Sequence, residues 1–184
     1  EGLDLAALQA HISGCLSAAD RPDHLRSFVR ALLDPACEAE CEALRALLAQ
    51  VNGSVIVYTA TRRNTDEVAD FVRTTAGLPV GAYHAGLDRD TRHRVQTDFM
   101  AERLKVIVAT NAFGMGVDKP DVRAVIHYNL PATVEAYYQE AGRAGRDGQP
   151  AECVLLFAPD DQRLQEWLIN SDTPTYQELS QVHH

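Results

Sequence analysis

Between residues 54 and 157 the chain alternates short β-branched runs with helical stretches, and no other feature of its 184 residues restricts the fold as strongly. The runs at 54–59, 80–84, 105–109, 123–128 and 152–157 are too short for helices and rich in Val and Ile, as strands buried on both faces require. Helical patterns separate them at about 64–76, where Asn64 and Glu67 read as a capping box, at 88–101 behind Asp88, and at 133–142 behind Pro131. Strands alternating with helices form right-handed βαβ units. The expected fold is therefore α/β, a parallel β-sheet flanked by helices.

Three further helical patterns precede the sheet: about 3–17, about 22–33 after Asp20 and Pro22, and about 35–51, opened by Asp34-Pro35 and closed by Asn52-Gly53. Another at about 160–169 carries Trp167, read as a core anchor, and Ser171-Asp172-Thr173-Pro174 reads as a linker. The organisation expected is a helical extension or linker over 1–34, a sheet domain over 35–170 and a tail over 171–184. His183-His184 reads as a tag remnant and carries no functional argument.

Composition narrows the function classes. With no apolar run approaching 18 residues and no secretory signal pattern, a soluble intracellular protein without membrane partners is expected. Residues 1–52 carry 4 basic and 8 acidic side chains, 53–150 carry 12 of each, and 151–184 carry 1 and 6, giving the net charge of −9. Bulk charge thus argues against strong nucleic-acid binding, although arginines at loop ends can still meet phosphates. Cys37 and Cys41 fall in register with Leu44 and Leu48 on one helical stripe, and Cys15 and Cys153 extend other apolar patterns, so core thiols in a reducing compartment are expected rather than a metal set.

Open parallel sheets bind ligands at the carboxyl ends of their strands. Residues 59–63, 84–86, 110–118 and 129–131 all directly follow strand candidates and so converge on one edge. There Thr61 with Arg62, His84 with Gly86, and Thr110 are either caps of the next element or contacts to a phosphate backbone. Arg89, Arg92 and Arg94 spread around a helix and read as a solvated face. The segment 139–148, QEAGRAGRDG, adds two arginines among glycines at a helix end. Guanidinium forks suit phosphate oxygens, and glycine permits close backbone approach.

That segment resembles motif VI of superfamily 2 helicases, specifically the RecQ branch. VATNAFGMGVDKP at 108–120 is similar to their motif V, AYHAGL at 82–87 to motif IVa, and VIVYTATR at 55–62 to motif IV, so the resemblance covers about 53–158 in the family's order. It implies the second RecA-like motor domain of an ATP-dependent DNA helicase. Arg146 and Arg143 would then be arginine fingers, and Gln139 would orient water or phosphate unless it is simply an exposed helix position. Asp118 would bind the ribose, with Gly114 and Gly116 opening the loop, unless Asp118 only forms a turn before Lys119-Pro120. Thr61, Arg62, His84, Gly86 and Thr110 would contact single-stranded DNA. The resemblance places the protein in the cytoplasm with the nucleoid if bacterial, or in the nucleus if eukaryotic.

The sequence contains no GxxxxGK[ST] loop and no Gly-Lys pair, and Gly114 and Gly116 lack the third glycine of a dinucleotide fingerprint. ATP and Mg²⁺ are therefore expected to be held mainly by a first RecA-like domain, and the chain alone is expected to be inactive. Two alternatives remain at this level. A DEAD-box RNA helicase would have His-Arg where this chain has Gln139-Glu140, and a non-hydrolysing binding module would not need the arginines or Asp118.

Overall fold

The computed structural model describes residues 25–29, 37–114 and 117–156. Six strands form one parallel sheet: β1 (Leu25–Val29), β2 (Ser54–Tyr58), β3 (Val80–Tyr83), β4 (Val106–Ala109), β5 (Val122–His127) and β6 (Ala151–Leu155), in the order β1-β6-β5-β2-β4-β3. Between them lie α1 (Cys37–Gln50), α2 (Arg62–Phe71) running on into a π-helical turn over Val72–Ala76, α3 (Arg89–Met100) and α4 (Val134–Ala141). The alternation of strand and helix and the parallel sheet agree with the expectation from sequence.

Two local expectations are corrected. The helix expected over 22–33 is not formed there: Leu25–Val29 is an extended strand that pairs with β6 from Leu25↔Ala151 to Val29↔Leu155. Leu25, Phe28 and Val29 have the i, i+3, i+4 spacing of a helix face, but so short a run does not fix a period, and the open edge of β6 supplies hydrogen bonds for a strand. The capping box at Asn64 and Glu67 is also absent. Thr61 is the N-cap of α2, its hydroxyl accepting from the Asn64 N–H at 3.1 Å, while Glu67 pairs with Arg63 at 2.7 Å. At α3, Asp88 does cap the helix, accepting from the Thr91 N–H at 2.8 Å; hydrogen bonds from the Thr91 side chain and then its backbone hold the carboxyl below the ordinary value. The expected helices at 3–17 and 160–169, with Cys15 and Trp167, lie outside the described residues.

Both faces of the sheet are covered. Val55, Val57, Val106, Val108, Ala124, Ile126 and Val154 pack under α1 and α2 through Leu44, Leu47, Leu48, Val68, Ala69 and Val72. On the other face Ile56, Tyr58, Ile107, Ala109, Val125 and Cys153 meet Phe99 of α3 and the loop residues Phe113, Val117 and Ala144. Double coverage explains why β2 and β4 are buried along their whole length instead of alternating. Cys153 is buried, which pushes its thiol up to about 12. Cys41 is half-buried with its sulfur 3.5 Å from the Tyr128 hydroxyl, and neither thiol forms a disulfide. Cys153 lies in the core as the apolar register predicts, Cys41 stands at its margin, and the Cys37 side chain lies outside the description.

Candidate functional site

Register determines what the strand ends present. Tyr58 of β2 is level with Ala109 of β4 and His127 of β5, Tyr83 of β3 is level with Ala109, and Leu155 of β6 with His127. The residues that follow, Thr59, His84, Thr110 and Tyr128, therefore leave the sheet along one edge. Asn129 ties this edge together: its Oδ1 accepts from the Ala60 N–H at 3.1 Å and from the Asn64 side-chain amide at 3.3 Å, so the loops after β2 and β5 are joined. A cleft of about 280 Å³ lies beside it, lined among others by Tyr58, Asn111, His127, Pro131 and Glu140.

One group of predicted residues gathers at the β3 side. The His84 ring is buried; its Nδ1 accepts from the Gly86 N–H at 3.2 Å, which requires an unprotonated Nδ1, and its Nε2 lies 3.2 Å from Asp66 Oδ1. Arg62 is exposed and leans over the same loop: a Cβ at Gly86 would lie 3.1 Å from Arg62 Cδ and 3.1 Å from His84 Nδ1. Thr61 and Thr110 do act as caps, with Thr110 Oγ1 accepting from the Ala112 N–H at 3.4 Å and the Thr110 N–H donating to Tyr83 O at 3.2 Å. Each hydroxyl accepts from backbone, Thr61 half-buried and Thr110 buried. The N–H groups of Thr110, Ala112 and Phe113 are bonded within the chain.

The second group gathers where the loop after β4 meets the segment after α4. α4 ends at Ala141, and the chain tightens: the Arg143 N–H donates to Glu140 O at 3.2 Å, the Ala144 N–H donates to Ala141 O at 3.1 Å, and Gly145 takes a φ of 61°. The two arginines are therefore not stacked one helical turn apart. Both reach the same loop instead, Arg143 Nη1 donating to Val117 O at 3.2 Å and Arg146 Nη1 to Asp118 Oδ1 at 2.9 Å. Backbone bonds clasp the segments further, Gly145 N–H to Val122 O at 2.9 Å and Asp147 N–H to Pro120 O at 3.1 Å, and Arg123 pairs with Asp147. That arginine holds the Asp147 carboxyl below its ordinary value. The Gly114 backbone passes close to Arg143: a Cβ there would sit 2.9 Å from its Nη2. Gly116 is outside the described residues, and Gln139 is exposed on α4.

Sequence reasoning missed several buried polar groups. The Lys119 ammonium is buried, 3.0 Å from Asp121 Oδ1 and 5.6 Å from the centroid of the Phe99 ring, anchoring the loop that carries Asp118. His127 is fully buried with Nε2 2.9 Å from Glu140 Oε2. The available signal was a histidine closing the apolar run 124–126 of β5. Among the described residues no cluster of three or more His, Cys, Asp or Glu could hold a metal ion, and no helix is long and apolar enough to cross a membrane.

The sequence profile of the helicase conserved C-terminal domain matches residues 39–148. The chain is 50% identical over 114 residues to the ATP-dependent DNA helicase RecQ of Bacillus subtilis, covering 62% of this chain and 19% of that protein. It is 42% identical over 160 residues to the RecQ of Haemophilus influenzae, covering 86% of this chain and 25% of that protein. The chain thus spans a quarter or less of these relatives' own length. Among solved structures, a DEAD box protein from Methanococcus jannaschii superposes with a TM-score of 0.63 at 26% identity, over 78% of this chain and 39% of that one. The C-terminal domain of the DEAD-box protein Dbp5 superposes with a TM-score of 0.64 at 22% identity, over 88% of this chain and 98% of that one.

Proposed function

The chain belongs to the helicase conserved C-terminal domain family, in its RecQ branch, and on that premise we propose that it is the second RecA-like motor domain of an ATP-dependent DNA helicase. The observation that carries the reading is the convergence of Arg143, Arg146 and Asp118 on one segment of the loop between β4 and β5. Arg146 and Arg143 are placed to stabilise the charge that develops on a transferred phosphoryl group, and the exposed Asp118 to accept from a ribose hydroxyl. Gln139, one turn before Arg143, lies on the same approach. ATP and Mg²⁺ belong mainly to a first RecA-like domain, because the 184 residues here contain no phosphate-cradling GxxxxGK[ST] loop. The isolated chain should accordingly show no ATP turnover in a phosphate-release assay; hydrolysis that Arg146→Ala abolishes would overturn the half-site reading.

Single-stranded DNA runs along the other group, with the hydroxyls of Thr61 and Thr110, the Arg62 guanidinium and the His84–Gly86 turn as its backbone contacts. None of these reads bases, so binding is independent of sequence. Removing three phosphate contacts with a Thr61→Ala, Arg62→Ala, Thr110→Ala variant is expected to flatten the log–log salt slope of binding by roughly 2, at about 0.7 per phosphate. Titration of single-stranded oligonucleotides at several salt concentrations reads this, and an unchanged slope would remove these residues from the DNA path. The DEAD-box neighbours share the fold, while Gln139-Glu140 stands where their His-Arg would be expected; comparing stimulation of the parent's ATPase by DNA and by RNA separates the two.

A further inference from the structure

Tyr58, Ala109 and His127 stand side by side on β2, β4 and β5 and point to the same face, because they are in register and side chains alternate along each strand. Ala109 leaves room on one side, and on the other the Tyr58 and His127 rings stack at 5.6 Å with an interplanar angle of 21°. Tyr58 is buried, and its hydroxyl donates to Phe113 O at 2.9 Å. Burial pushes that hydroxyl well above its ordinary value, and although Arg143 pulls it back by charge and hydrogen bonding, it remains an O–H group. Its hydrogen goes to the Phe113 carbonyl, and the carbonyl of Val117 in the same loop holds Arg143 Nη1 at 3.2 Å.

The ring has a fixed seat. His127 Nε2 meets Glu140 Oε2 at 2.9 Å, while His127 Nδ1 is buried without a hydrogen-bond partner. A proton on Nε2 directed at the carboxylate leaves only a lone pair unpaired, whereas a proton on Nδ1 would strand a buried donor, so the Nε2–H tautomer is the one that fits. Glu140 is in the last turn of α4, and its carbonyl accepts the Arg143 N–H. The Arg143 backbone is thus tied to the group containing Glu140, His127 and Tyr58, and its side chain, through Val117, to the loop that the Tyr58 hydroxyl holds.

We propose that Tyr58, seated on the His127–Glu140 couple, is a positioning residue for Arg143 that makes the arginine and the loop after β4 move as one. The loop that supplies the Phe113 carbonyl begins at Thr110, the candidate DNA contact, and also supplies the Val117 carbonyl that holds Arg143, so the Tyr58 hydroxyl fixes it between a DNA-facing residue and a nucleotide-facing arginine. This inference rests on the nucleotide-site reading of Arg143.

The test uses a parent protein that carries both RecA-like domains. Tyr58→Phe keeps the ring and its stacking and removes only the hydroxyl. DNA-saturated kcat is expected to fall roughly ten- to a hundredfold, the cost of a slightly misplaced catalytic group. Affinity for a non-hydrolysable ATP analogue is expected to stay within about twofold, while ADP with aluminium fluoride, which mimics the transition state, binds more weakly by about the same factor as kcat falls. Glu140→Gln retains an acceptor for His127 and should keep most turnover, whereas Glu140→Ala should follow Tyr58→Phe. Wild-type kcat in Tyr58→Phe, or equal loss of affinity for both analogues, would overturn the proposal, as would wild-type kcat in Glu140→Ala. Arg143→Ala separates the two levels. If it destroys turnover and Tyr58→Phe does not, only the role of Tyr58 falls; if it leaves turnover intact, the nucleotide-site reading falls with it.

Discussion

Replacing Arg146 by alanine in a parent protein that also carries the phosphate-binding domain is expected to abolish DNA-stimulated ATP hydrolysis while leaving ATP and DNA binding nearly intact. An arginine finger meets charge that appears mostly in the transition state, so its loss falls on turnover, not on ground-state affinity. Such residues supply about 10³ to 10⁵ in rate, or roughly 4–7 kcal/mol. The fold should not notice. Arg146 is 39% exposed and its partner Asp118 83% exposed, and an ion pair that open to water contributes at most about 1 kcal/mol. The same openness lets the guanidinium leave Asp118 for a phosphate at little cost. Steady-state ATPase assays, nucleotide-analogue titration and a melting curve together read the result. Lysine at this position should rescue poorly, because an ammonium does not reproduce the planar fork. Turnover above about a tenth of wild type, far outside the range of a finger, would pass the role to Arg143 or end the nucleotide-site reading.

Phe113→Ala is expected to cause the largest loss of stability, about 3–5 kcal/mol. The ring is fully buried, edge-on to Tyr83 at 4.9 Å and to Phe99 at 5.9 Å between centroids, so its removal leaves a cavity bounded by two aromatic faces on rigid elements. At roughly 2–4 °C per kcal/mol for a chain of this size, the melting temperature should fall by about 10 °C. Because Phe113 also supplies the carbonyl that holds Tyr58, the loop after β4 should loosen with the core. Urea unfolding followed by circular dichroism measures the difference, and a loss under about 1 kcal/mol would show that the loop does not depend on this anchor.

Much of the architecture was legible in the residues. Five apolar runs of strand length with helices between them fit a doubly covered parallel sheet, and the end-of-strand positions of Thr61, His84 and Thr110 follow from that topology before any side chain is placed. Where the sequence misled, the deciding interaction was non-local. Leu25–Val29 carries a helical spacing and is a strand because β6 offers it an edge more than 120 residues away in the chain. Thr61, and not Asn64, caps α2 because the chain turns directly at the end of β2.

The site divides in the same way. Residue type and order selected Arg143, Arg146 and Asp118, since a guanidinium or a carboxylate has its chemistry wherever it stands. That the arginines meet through the 117–118 loop and not along a helix, and that Tyr58 and His127 lie level on neighbouring strands beneath them, was decided by strand register and by the tight turn after Ala141. A sequence specifies local periodicity and side-chain chemistry. Which buried polar groups share a hydrogen bond depends on pairings between distant segments, and a buried tyrosine or histidine looks like any other core residue until its partner has been placed beside it.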